Sequence, residues 1–266
     1  MVDALSLYLR LAVAGMRAQM QYRLSFVVRS LVDFLVVLSD LGPVWVLATY
    51  FGHLDGWDFR QLALLYGMVG TSWGIVEVTL RGFENFSVYL VRGDLDRVLL
   101  RPRSLVLQIA AHDFEARKLG RTLLGLVVLT YACLALGLGV ESLGWIALGI
   151  AGGALCFAGI VMLGASIAFW TLGETSELQN ILTYGGSAAL SYPVTIYGKW
   201  FRRVITYGVP LAFVNYFPAL AALGRTEAEG WPRILPWLSP FACAAMLFVG
   251  LACFSRGLRR YESAGS

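Results

Sequence analysis

Polar residues in this chain come in clusters, and the runs between them are apolar. Stretches at 24–50, 59–80, 119–138, 143–172, 178–198 and 238–254 approach or exceed the ~20 residues that cross a bilayer as a helix, and predict six spans. The apolar runs are continuous, not alternating, so the fold class is all-α and a barrel is excluded. Ahead of the first span, Leu5, Leu9, Ala12, Val13, Met16 and Met20 share one face of a helix over 3–23. Asp3, Arg10, Arg17 and Gln21 take the other, the pattern of a helix lying in the headgroup plane.

The fifth span is expected to be interrupted at Gly185-Gly186 and then at Tyr192-Pro193, and one further apolar run, 204–223, contains Pro210, Asn215 and Pro218. As a seventh crossing it would put Arg256, Arg259 and Arg260 outside. The positive-inside rule therefore favours six crossings with both termini cytosolic. The two prolines then make 204–223 a re-entrant hairpin entering from the outer side. Lys199, Arg202 and Arg203 fall outside in this topology and stand against it.

The longest polar interval, Arg81 to Arg121, holds eight of the 21 Lys and Arg residues. Its cytosolic core, 84–115, centres on Gly93-Asp94-Leu95-Asp96-Arg97-Val98-Leu99-Leu100-Arg101-Pro102. Here Gly93 ends one helix, Asp94 caps the next and Pro102 stops it. Leu95, Val98, Leu99 and Leu100 would form the apolar side of this short helix, and Asp96, Arg97 and Arg101 its polar side. A docking element and a solvated basic loop both fit this spacing.

Charges inside the spans are expected to pair locally: Arg29 with Asp33, and Glu77 with Arg81, each four residues apart. Asp40 has no local partner, and Pro43 just after it marks a kink. An intramembrane carboxylate faces protein or a water-filled cavity, so Asp40 either bonds a neighbouring helix or lines a pathway. Asn215 is a second candidate for a pathway or permease interface. Gly149 and Gly153 form a GxxxG pair, read as helix packing ahead of a substrate-lining face. A tight turn is expected at 139–142, and Ser176 with Gln179 fits a capping box.

Composition agrees with a membrane protein: 58% hydrophobic and 14% charged, against roughly a quarter charged in soluble domains. The net charge of +4 sits at span ends, where it sets orientation, and gives no ground for a nucleic-acid partner. Cys133, Cys156, Cys243 and Cys253 all lie in apolar runs and read as packing residues. His53 and Asp55 on a Gly-rich turn are too few for a metal site, and no cleavable signal peptide is expected. No GxxxxGK[ST], HExxH or GxSxG motif occurs, and Asp94-Leu95-Asp96 lacks further carboxylates. Catalytic, cofactor and metal sites are therefore not expected. A secondary transporter would show an internal repeat, and none is evident. A nucleotide-independent channel or a membrane scaffold remains as the competing class.

Together these segments resemble the type-2 ABC exporter permeases, in a bacterial branch of transport-system permeases without assigned substrates. The matching residues are Gly93-Asp94-Leu95-Asp96 with Leu100-Arg101-Pro102, Tyr192-Pro193 to Tyr197, and Val209 to Pro218. The resemblance implies a half-transporter in the bacterial cytoplasmic membrane, paired with a second permease, alike or different. A separate ABC ATPase subunit would hold ATP and Mg. Gly93 to Pro102 would be the coupling helix seated on that ATPase, and Pro210 and Pro218 would shape the re-entrant hairpin.

Overall fold

The computed structural model describes residues 8, 10, 13–17, 19–51, 53–100, 104–112, 114–171 and 179–261. All named elements among them are helical. Of the expected interfacial helix, residues 13–17 and 19–20 are helical, and its first residues lie outside the described set. Arg101, Pro102 and Ser176 also lie outside it.

Helix α1 (Arg23–Phe51) runs 29 residues, about 44 Å at 1.5 Å per residue, with Pro43 inside it. A tight turn follows, bridged between Leu54 and Trp57, with Asp55 and Gly56 at positive φ. Asp58 then caps α2 (Phe59–Thr79): its carboxylate accepts from the Gln61 amide at 2.9 Å, and the Gln61 side chain accepts from the Asp58 amide at 3.2 Å. This reciprocal box satisfies two donors that the first turn would otherwise leave bare.

The polar interval folds into short helices: α3 (Arg81–Glu84), α4 (Phe86–Val91), α5 (Asp94–Leu99) and α6 (Leu105–His112). Then come α7 (Leu119–Leu136) and α8 (Val140–Thr171). Between them Gly137 closes α7 in the left-handed conformation that glycine adopts at least cost. The turn thus ends at Gly139; Val140, Glu141 and Ser142, expected in it, already belong to α8.

The predicted fifth span, 178–198, is not one helix. Helix α9 (Ile181–Leu190) is ten residues, about 15 Å, or half a hydrocarbon core. The chain breaks at Ser191, Tyr192 and Pro193, where proline cannot donate to the ladder. Gly185-Gly186 does not interrupt the helix; residues Ile181–Gly185 instead form a wide π turn that runs straight into it. Helices α10 (Lys199–Gly208) and α11 (Leu211–Ala222) follow, bent by 72° at Val209–Pro210. The bent unit therefore begins at Lys199, five residues before the expected 204. Lys199, Arg202 and Arg203 ride on its first arm. The last helix is α12 (Leu235–Arg259).

By length and apolarity, α2, α7, α8 and α12 qualify as membrane spans, and the bent pair would make a fifth. Six separate spanning helices are not found among the described residues.

Small residues set the packing. A Cβ on Gly67 would lie 2.7 Å from the Leu129 backbone, and one on Gly125 2.6 Å from that of Thr71, so α2 and α7 nearly touch. Gly159 and Gly250 meet backbone to backbone where α8 crosses α12. Gly149 and Gly153 admit Pro218, Met68, Ser72 and Val214, so the GxxxG pair does pack helices, with α11 and α2 as its partners. Buried between them, Asn215 donates through Nδ2 to the carbonyls of Leu190 (2.7 Å) and Leu65 (3.3 Å), tying α11 to α9 and α2. Asn215→Ala removes both bonds and leaves the Leu190 carbonyl, at the end of α9, without its donor in an apolar interior, which should cost about 1–3 kcal/mol. A fall in the unfolding midpoint in detergent, with secondary structure retained, checks this.

The contacts define two ends. At the far end Ser142 donates to Ala222 at 2.7 Å, Trp145 meets Trp237, and the Arg225 guanidinium stacks over Trp57 at 5.0 Å. The polar interval gathers at the opposite end.

Candidate functional site: a charged cluster, a cavity and a surface helix

Three cations crowd the start of α7: Arg117, Lys118 and Arg121. A helix N-terminus repels cations, so they need carboxylates close by. Glu77, fully buried near the end of α2, takes Lys118 Nζ at 2.8 Å and Arg121 Nε at 3.1 Å. It also accepts from Tyr184 Oη at 2.9 Å, out of the π turn that opens α9. The Arg121 guanidinium lies over the Tyr184 ring at 5.7 Å. Arg117 joins Asp33 at 2.7 Å and Glu115 at 2.8 Å. Burial pulls the Arg117 guanidinium downward in pKa, but the bonds and charge of Glu115 and Asp33 outweigh it, so its pKa is raised.

Both expected local pairs are thereby replaced. Asp33 turns to Arg117, not Arg29. Glu77 turns to α7, while Arg81 pairs with Glu84 and, at 3.6 Å, with Glu115. The cause is backbone: α2 ends at Thr79, and Leu80 leaves helical geometry at φ −121°, so Arg81 no longer sits one turn above Glu77. Asp40, expected to lack a local partner, faces Arg121 Nη1 at 3.5 Å from another helix.

Asp40 and Pro43 border a cavity of about 410 Å³ between α1, α2, the start of α7 and α9. Tyr66, Trp73, Arg121 and Tyr184 complete its inner wall. Asn215 does not border it. Pro210 sits at the elbow and Pro218 in α11 against Gly149, both away from the cavity.

On the polar end, α5 is anchored by Leu95 and Val98, which are buried. Leu99 and Leu100, expected on the same side, point outward, and Leu100 is 86% exposed. Gly93, at φ +71°, serves as the N-cap, so Asp94 is the first helical residue and not its cap. There its charge favours the helix dipole and meets Arg97 at 3.4 Å. Arg97 and Val91 are exposed as well. The platform beneath is closely packed. A Cβ on Gly82 would collide with the Ile109 carbonyl, and Phe83 and Phe86 lock onto Phe254 (both 5.2 Å) and Phe169 (5.1 Å from Phe86). Those aromatic rings join the polar end to α8 and α12.

Long apolar helices, a charged cluster at one end and no strand among the described residues define a multi-pass helical membrane protein. The chain belongs to the ABC-2 family of transporter proteins, whose family model matches residues 34–265. It is accordingly a membrane permease of the ABC transporter type, in a family whose members work with an ATPase partner. No curated protein and no solved structure matches the chain.

Proposed function

We propose that the chain is the permease half of an ABC exporter in a bacterial cytoplasmic membrane. It encloses the pathway with a second permease and is driven by a separate ATPase subunit that holds ATP and Mg. The observation that carries this reading is the seating of α5. Leu95 and Val98 fix the helix to the body, and Arg97, Leu99 and Leu100 are presented outward. That is the form of a handle. A partner gripping it moves α4 and α6, and through Phe83 and Phe86 moves α8 and α12.

The same reading puts the polar end and both termini in the cytosol. Residues 179–222 then supply one net crossing in pieces. Helix α9 rises from the cytosolic end, the chain breaks at Pro193, and α10 with α11 forms a re-entrant elbow from the outer side. Supporting this, Leu211 packs against Gly186, Asn215 bonds Leu190, and Ala222 reaches Ser142 at the far end. Asp40 and Pro43, on the cavity wall, are the residues of the pathway or of its entrance.

The ligand gains direction only if the two states bind it differently, so the ATPase must rearrange the walls. Replacing Asp96, Arg97 or Arg101 should uncouple hydrolysis from transport while leaving insertion intact. Reversing the Arg97 charge at a partner interface should weaken ATPase association by roughly tenfold or more. Co-purification from native membranes and ATP turnover with and without Arg97→Glu measure this. Normal turnover and normal association in that variant would remove the coupling assignment.

A further inference from the structure

We infer that the cavity beside Asp40 is a binding site for an organic cation, an ammonium group carried on an apolar body. The inference rests on the permease reading for its role in transport, but on the cavity alone for its chemistry. What decides the charge is which polar atoms remain free to meet a ligand.

The cations on the wall are already engaged. Lys118 and Arg121 are held by Glu77, and their side chains are only 16% and 14% exposed. The Asp40 carboxylate is in the opposite condition: 48% exposed, with Arg121 no closer than 3.5 Å. The hydroxyls tell the same story. Ser39 donates to the Val36 carbonyl at 2.7 Å, Ser187 to that of Tyr184 at 2.9 Å, and Ser191 to that of Ser187 at 3.2 Å. Tyr66 donates to the Val37 carbonyl at 3.1 Å, and Tyr184 to Glu77. Each hydroxyl has one proton and has already placed it, so the oxygens of Ser39, Ser187, Ser191 and Tyr66 keep lone pairs that an incoming donor can meet. All four residues line the cavity. The space thus presents a half-free carboxylate and accepting oxygens, both of which suit a cation. An anion would meet the Asp40 charge, and the two cations that could offset it are paired with Glu77 and mostly buried. About 410 Å³ falls within the usual range of small-molecule pockets.

The test is equilibrium binding to the purified chain in nanodiscs of zwitterionic lipid, with three probes of one shape. These are 2-naphthylethylammonium, the neutral alcohol 2-naphthylethanol and the anion 2-naphthylacetate; empty nanodiscs give the partition background. The ammonium should bind saturably and at least roughly tenfold more tightly than either isostere, as expected for a charge-assisted bond. Asp40→Asn should remove that preference and leave the alcohol's weak binding unchanged. The unchanged alcohol isotherm shows that the pocket is intact. If the Asp40→Asn variant is too unstable, Asp40→Glu should keep the ammonium preference and Ser191→Ala should reduce it. Tighter binding of the acetate, equal binding of all three, or an ammonium preference that survives Asp40→Asn would overturn the inference. No ATPase enters the assay, so such failure leaves the permease reading standing. Loss of ATPase co-purification would count against that reading and leave this cavity's chemistry as it is.

Discussion

Glu77→Gln is expected to be among the most damaging single changes in this protein. Glu77 is fully buried and meets two cations, Lys118 and Arg121, at 2.8 and 3.1 Å. Removing its charge strands both in an interior with little water, where breaking a buried pair typically costs about 3–5 kcal/mol. Part of that loss belongs to the cations and not to the bond itself. Glu77→Gln combined with Lys118→Gln should therefore recover a substantial fraction of the stability lost by Glu77→Gln alone. Unfolding midpoints of the two singles and the double in one detergent measure the coupling. Strict additivity would mean that the cluster carries no energy of its own.

The crossing of α8 and α12 should be equally intolerant, for a steric reason. Gly250 faces the Gly159 backbone, and Gly159 faces Met246 and Leu247 along the chain. A side chain at either position meets backbone, which cannot rotate out of the way. Gly250→Val should cost about 3 kcal/mol as the helices are forced apart. Gly144→Ala, at a helical glycine with open space around it, is the matched control. It should stabilise by up to about 1 kcal/mol, because alanine restricts the unfolded chain and favours helix. Both are read from thermal unfolding followed by size-exclusion recovery. Equal tolerance of the two substitutions would contradict the close crossing.

The long helices were legible because length and continuous apolarity are local properties. The predicted spans at 59–80, 119–138 and 143–172 match α2, α7 and α8 to within a few residues. GxxxG packing was legible for the same reason, though its partners were not. The fifth span failed because its composition is apolar throughout 178–198 while its backbone is not helical throughout. Tyr192-Pro193 carried the true signal, and Gly185-Gly186 a misleading one.

The charged cluster was almost wholly hidden. Helical spacing suggests partners four residues away, yet Glu77 bonds residues 41 and 44 positions later and Asp33 one 84 later. Which carboxylate meets which cation depends on how α1, α2 and α7 pack, and no periodicity within one segment records that. The sign of the surplus was readable: three cations at one helix start demand carboxylates from elsewhere. For α5, the sequence defined the helix and its anchoring residues Leu95 and Val98. Its outward apolar residues were missed because a two-turn helix buries only a narrow stripe. Exposed Leu99 and Leu100 suit the docking surface proposed for α5.

The most direct measurement of the central claim is site-specific cross-linking from that surface. A photoreactive group is attached to the thiol of a Leu100→Cys variant in which the four native cysteines have been replaced, and is activated in inverted membrane vesicles. The expected result is a single major adduct with a nucleotide-binding subunit, whose yield changes when nucleotide is added. Labelling of that thiol by an impermeant reagent from the outside of intact cells, or full transport with no nucleotide-binding subunit present, would contradict it.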